Sequence, residues 1–181
     1  MTIKINYKNN ISKKTSANLI LFADDKFNIS NLKKYISTFE FSYIKDLLKN
    51  SDLNKNLFVF ELSSKRKIAL ISIKKNLKNS EIENLGAELY GRINLEKNAQ
   101  YFLNSNTLNT KNEKFIGYLL HGLKLKSYEF NKYKTKKNIR NIEINVFGNK
   151  NKPSAYNQLK FKALEEGTFY TRDLVSEPGN I

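Results

Sequence analysis

Leu57-Phe58-Val59-Phe60 and Ile68-Ala69-Leu70-Ile71-Ser72-Ile73, with Ser63-Ser64-Lys65-Arg66 between them, lead into Ser80-Glu81-Ile82-Glu83-Asn84-Leu85-Gly86. Both apolar runs are short and unbroken, the pattern of strands buried on both faces. The polar residues between them are too few for anything but a tight connection, which predicts a hairpin. Ser80 and Glu83 have the spacing of a capping box, in which the serine accepts from an orphan amide and the glutamate reaches back. Ile82, Leu85, Gly86, Leu89 and Ile93 then recur on one face of a helix. Strands followed by a one-faced helix define an α/β unit, and the rest of the chain can be read outward from it.

Toward the N-terminus, Ile3, Ile5 and Tyr7 alternate with polar residues, as in a half-buried strand. Leu19-Ile20-Leu21-Phe22-Ala23 is another buried run. Asn28 to Asn50 reads as helical, with Leu32, Tyr35, Ile36, Phe39, Ile44, Leu47 and Leu48 near helical spacing and a break near Phe39–Phe41. Toward the C-terminus, Tyr101-Phe102-Leu103 predicts a strand. Thr110 and Glu113 form a second candidate capping box, ahead of Phe115, Ile116, Leu119, Leu120 and Leu123. Ile142, Ile144 and Val146 alternate in a further strand. Pro153 is expected to open a last helix carrying Tyr156, Leu159, Ala163 and Leu164, with Gly167 interrupting it. Strands separated by helices of this length predict an α/β three-layer sandwich, a mixed sheet flanked by helices.

Composition narrows the function. The chain has 181 residues and no cysteine, which removes disulfides, thiolate metal sites and cysteine nucleophiles. No apolar run reaches the ~18–20 residues that cross a bilayer, and no signal-peptide stretch opens the sequence, so a cytoplasmic protein without membrane association is expected. The formal charge of +15 suggests nucleic acid. Yet 28 of the 32 basic residues are lysine, beside abundant asparagine and isoleucine. Those residue types share A/T-rich codons, whereas a phosphate-reading face would recruit arginine for its bidentate fork.

Few residues carry chemistry. His121 is the only histidine, and its place within a predicted helix marks it as a surface or boundary residue. Without clustered ligands no metal site is expected, and without a nucleophile elbow or triad no catalytic residue is assigned. The glycines do not gather into a phosphate-cradling loop. Asp24 and Asp25 end a predicted strand, where α/β sheets bind ligands, so they are the candidate ligand contacts; the simpler reading is a turn. Tyr128 to Lys137 interleaves aromatics with lysines, as a single-strand binder does. Lys132, Lys134, Lys136 and Lys137 are therefore the candidate DNA contacts, against a reading in which aromatics pack inward and lysines stay in water.

Two segments resemble the leucyl (cytosol) aminopeptidase family. Gly122-Leu123-Lys124-Leu125 leading into Tyr128-x-Phe130-x-x-Tyr133-Lys134 is similar to a stretch late in that family's N-terminal domain. Arg172-Asp173-Leu174-Val175, followed by Pro178 and Asn180, resembles the segment that joins its two domains. Leu85-Gly86-Ala87-Glu88-Leu89 is similar to a helix of the family. Thr171, Ser176 and Gly179 depart from the usual pattern. The resemblance implies an N-terminal, macro-domain-like fold over 1–150, and a helix and linker over 151–181 leading to a C-terminal catalytic domain. That domain would hold two divalent metals, manganese or zinc, to remove N-terminal residues from peptides. Here the resemblance leaves the 181 residues as a non-catalytic part, cut from a longer polypeptide. It further implies assembly into hexamers, shielding of the active site, and DNA binding in some members.

Overall fold

A computed structural model describes residues 2–8, 17–93, 98–110, 112–135 and 141–177. Along them run β1 (Thr2–Lys8), β2 (Asn18–Asp24), α1 (Thr38–Lys49), β3 (Leu57–Ser63) and β4 (Arg66–Ile73). Then follow α2 (Asn79–Ile93), β5 (Asn98–Asn104), α3 (Phe115–Lys126), β6 (Asn141–Phe147) and α4 (Ala155–Ser176). The strands form one six-stranded sheet in the order β1-β6-β5-β2-β4-β3. Every neighbouring pair is parallel except β3–β4, the antiparallel hairpin expected from its short polar connection. β3 is the outer strand of that pair, so only Leu57 and Phe60 of its apolar run are fully buried.

The sheet separates two cores. On one face Ile20, Phe22, Ala69, Ile71, Tyr101, Ile144 and Val146 pack with the apolar sides of α2 and α3. On the other, Leu21, Ile68, Leu70 and Phe60 meet Leu32, Ile44 and Leu48. The three layers thus follow from period-two side-chain alternation on strands that carry apolar residues on both faces. Across β1, β6 and β5 the second face turns polar. Glu143 accepts from Asn6 Nδ2 at 2.6 Å and from Gln100 Nε2 at 2.8 Å. These bonds form a cross-strand ladder of side chains.

The helix starts differ from those expected. Residues 28–50 are not one helix: a 3₁₀ turn at Ser30–Leu32 precedes α1, whose start is set by Ser37. Ser37 Oγ accepts from the Glu40 amide while Glu40 Oε2 accepts from the Ser37 amide. This is a true capping box, a few residues ahead of the break expected near Phe39–Phe41. Burial alone would push the Glu40 carboxyl up, but Arg66, at 2.9 Å, and the Ser37 amide hold it below the ordinary carboxylate range. α2 begins one residue before Ser80, and the carboxylate that reaches back is Glu81, to the Lys78 amide at 2.7 Å. Thr110 does not cap α3; its hydroxyl accepts from the Asn112 amide, Asn112 accepts from Lys114, and these turns delay the helix to Phe115. Pro153 lies outside α4, capped by Ser154 instead, and Gly167 sits within a continuous helix.

Candidate functional site

α3 is held on two sides. On its α2 side the helices cross backbone to backbone. A Cβ on Gly86 would lie 1.9 Å from the Leu119 carbonyl oxygen, and one on Gly122 would lie 1.9 Å from that of Glu83. These glycines, which form no phosphate loop, are there for close approach.

On its other side α3 meets α4 through a polar cluster. Phe161, Glu165, Phe169 and Arg172 recur at helical spacing on the face of α4 turned toward the body. Phe161 packs edge-on against Tyr118 at 5.1 Å and tilts over His121 at 5.4 Å. Glu165 is 5% exposed. That is an unusual place for a carboxylate unless it is paired. Its Oε2 accepts from Lys124 Nζ at 2.6 Å, and its Oε1 lies 3.4 Å from His121 Nδ1. His121 is therefore buried, not the surface or boundary residue its isolation suggested, because α4 covers it. Burial first, and the negative charge of Glu165 second, push the Tyr7 phenol up to about 12, so it stays a neutral hydroxyl in ordinary buffers. With both carboxylate oxygens engaged, this cluster acts as a clamp between helices. A groove of about 400 Å³ opens beside it, lined by Ile5, Tyr7, Leu120, Lys124, Phe161 and Glu165.

Beyond the clamp the two aminopeptidase-like segments meet. Tyr128 donates its hydroxyl to Asp173 Oδ1 at 2.7 Å, and Arg172 donates from Nη1 to the Leu125 carbonyl at 2.8 Å. The Arg172 guanidinium also lies over the Tyr128 ring at 5.4 Å, and Phe169 packs on the same ring. The first of these is a cation–π contact. Partial burial and then the Asp173 hydrogen bond raise the Tyr128 phenol above its usual range. Lys132 bonds Glu177, which raises the lysine's pKa, and it lies over the Tyr133 ring. Arg172 thus belongs to the packed side of α4 and the exposed Asp173 reaches back to Tyr128 at its edge, while Leu174 and Val175 remain in solvent.

The other candidates are dispersed. Asp24 Oδ1 accepts from the Lys26 amide at 3.1 Å and the Asn28 amide at 2.7 Å. It thereby closes the turn after β2, as aspartates do, and Asp25 is exposed. Lys134 is exposed next to the tethered Lys132, and Lys136 and Lys137 lie outside the described residues. Among the described residues no group of three or more metal-ligating side chains comes together, and no helix is long and apolar enough to cross a membrane. The Lys124–His121–Glu165 clamp escapes a reading of the sequence because its members are widely separated. The usable signal is Phe161, Glu165 and Phe169 at i, i+4 and i+8, which put a carboxylate inside an aromatic stripe.

No protein-family model matches this sequence, and no curated protein matches it. Solved structures share its fold. A mutant of tomato leucine aminopeptidase superposes with a TM-score of 0.66 at 16% identity, covering 99% of this chain and 39% of that one. Cytosol aminopeptidase from Coxiella burnetii gives 0.59 at 12%, covering 95% of this chain and 33% of that one. The bottromycin maturation enzyme BotP gives 0.60 at 9%, covering 90% and 33%, and a further structure of BotP is a complex with Mn. This chain therefore spans 33–39% of the length of those three proteins, and what it shares with them at such identities is the fold.

Proposed function

We propose that this chain is the N-terminal, non-catalytic domain of a metal-dependent leucyl aminopeptidase, a hydrolase that removes N-terminal residues from peptides. One observation carries the reading. The structure aligns over 99% of its length with part of a leucine aminopeptidase, and the segments that resemble that family are packed on each other through Tyr128, Arg172 and Asp173. A chance resemblance in two separate segments has no reason to end in mutual contact. In this reading residues 1–150 form the macro-domain-like accessory domain, and 151–181 lead into a catalytic domain carrying two divalent metals. Manganese is the favoured ion, since a BotP structure of the same fold is a manganese complex; zinc is the alternative. The accessory domain would shield the active site and support a hexameric, cytoplasmic assembly.

The test reads the frame past residue 181 and assays this chain, and the longer polypeptide that the proposal requires, on a leucine amide with added manganese. The longer polypeptide is expected to hydrolyse the amide, and the 181-residue chain to leave it untouched. Hydrolysis by the shorter chain would overturn the assignment of chemistry to the following domain. An inactive longer polypeptide would overturn the family reading itself.

A further inference from the structure

The two edges of the sheet are finished differently. β3, on one side, shifts register against β4 between Glu61 and Ser63. Such an irregularity twists an edge strand and spoils it as a template for pairing. β1, on the other side, runs in unbroken register with β6 from Thr2 to Lys8. Among the described residues no strand lies on its outer side, so every second residue there presents an unpaired amide and carbonyl. Only toward the end of the strand does a described side chain reach that backbone, where Lys152 Nζ donates to the Lys8 carbonyl at 3.3 Å.

An open edge is not by itself a site. This one runs along the groove of about 400 Å³ beside the clamp, a volume within the roughly 300–1,000 Å³ of ligand clefts. Ile5 and Tyr7 line the groove from the strand, Leu120 from α3, and Leu159 and Lys162 from α4. Side chains alternate along a strand, so Ile5 and Tyr7 turn to the helices while Lys4 and Lys8 belong to the opposite face. Leu159 is 67% exposed, against the expectation that it, Tyr156 and Leu164 would be buried on α4. A further strand beside β1 would continue the ladder and set every second side chain over the groove, between sheet and helix.

Charge selects the occupant. β1 carries Lys4 and Lys8 and no acid, and the chain as a whole has a formal charge of +15. Glu165 in the groove is already paired with Lys124, and Lys162 stands at the groove from α4. A second copy joined through β1 would bring lysines toward lysines, which is how edge strands are commonly protected from their own kind. An acidic segment meets the opposite sign. We propose that the edge of β1 and its groove form a docking site for an extended acidic peptide with apolar side chains at alternate positions, bound as a seventh strand of the sheet. The site is built from residues of this chain alone and does not depend on the aminopeptidase reading.

The probe is the fluorescein-labelled peptide Glu-Val-Glu-Leu-Glu-Val-Glu, titrated with the 181-residue chain by anisotropy at physiological ionic strength, where exposed charges are screened beyond about 8 Å. Its fully N-methylated counterpart keeps every side chain and charge but donates no backbone hydrogen bond. The unmethylated peptide should bind at least tenfold more tightly. It should also slow hydrogen exchange at least fivefold at every second amide between Ile3 and Lys8, and leave the β3 amides unchanged. Leu159→Glu, at an exposed position that spares the fold, should weaken binding at least tenfold. Val175→Glu, 81% exposed near the far end of α4, changes the net charge equally and should have no such effect. Equal affinity for the two peptides would reduce the binding to charge and overturn the proposal, as would no binding at all or binding that leaves β1 unprotected. Protection of β1 that grows with chain concentration in the absence of peptide would assign the edge to a second copy and overturn it too.

Discussion

α3 is gripped on one side by α2 and on the other by α4, and the two grips are made of different material. Against α2, glycine lets main chain meet main chain, with buried Ile82, Leu85 and Leu89 on one helix and Leu119 and Leu123 on the other. Against α4, Phe161 seated over Gly117 and His121, the paired Glu165 carboxylate and the Arg172 bond to the Leu125 carbonyl make the contact, and the outer face of α4 stays in water. The first grip has no slack, because interiors are packed as densely as organic crystals and neither backbone can step aside. The second rests on directional contacts that can be weakened one at a time. The contrast divides the molecule into a rigid body and a fastened helix.

The largest effect should come from the rigid side. Gly86→Ala or Gly122→Ala places a methyl group 1.9 Å from a carbonyl oxygen, so the helices must separate. Overpacking costs ~1–3 kcal/mol even where side chains can adjust, and here none is available. A loss of about 3 kcal/mol or more is expected, read as a lower urea midpoint or an insoluble chain. A midpoint equal to that of the parent sequence would show that the crossing yields and would erase the contrast.

The clamp should give the middle effect. Glu165→Ala leaves Lys124 and His121 facing each other with no acceptor between them, a loss of about 1–3 kcal/mol by the usual cost of unpairing a buried polar group. The same carboxylate shapes a pH dependence at Tyr7. A phenol raised from 10.0 to about 12 favours the folded state while protonated. This stability is therefore complete below about pH 10 and lost as pH rises toward about 12. Ultraviolet titration of tyrosinate should show a late-titrating group that moves to lower pH in Glu165→Gln. No movement would mean that burial alone holds the phenol up.

How much of this could be read from the residues differs between the two sides. The strands were legible because Leu19–Ala23 and Ile68–Ile73 are apolar almost without interruption, which in a sheet means burial on both faces. The sheet order was not, since nothing in β1 or β6 says that they are neighbours; that is decided by pairing between distant segments. The capping boxes illustrate the limit of spacing rules. Thr110 and Glu113 have the right separation, but Asn112 offers a competing turn, whereas Ser37 and Glu40 form the real box just ahead of the break expected near Phe39–Phe41. On α4 the large apolar residues named from periodicity, Tyr156, Leu159 and Leu164, are exposed, because hydrophobicity fixes the phase of a face and not its partner. The clamp needed a carboxylate to be read as a core residue, which its residue type argues against.

The smallest effect, and the one that bears most directly on the fastened helix, is expected at Tyr128 and Asp173. Their hydrogen bond is 2.7 Å long and open to solvent. Water can replace either partner, so Asp173→Asn or Tyr128→Phe should cost less than any change above. Global unfolding will barely register it. Local opening should, because among the described residues the C-terminal half of α4 has few other attachments: Arg172 to the Leu125 carbonyl, Phe169 on the Tyr128 ring, Ser176 to the Tyr128 hydroxyl and Glu177 to Lys132. Hydrogen exchange of amides 169–176 is expected to quicken several-fold in either variant, while amides 157–165, anchored by Phe161 and Glu165, keep their rates. Equal acceleration along the whole of α4 would mean that the helix moves as one piece, and the clamp would then be a share of a single weak contact instead of a separate anchor.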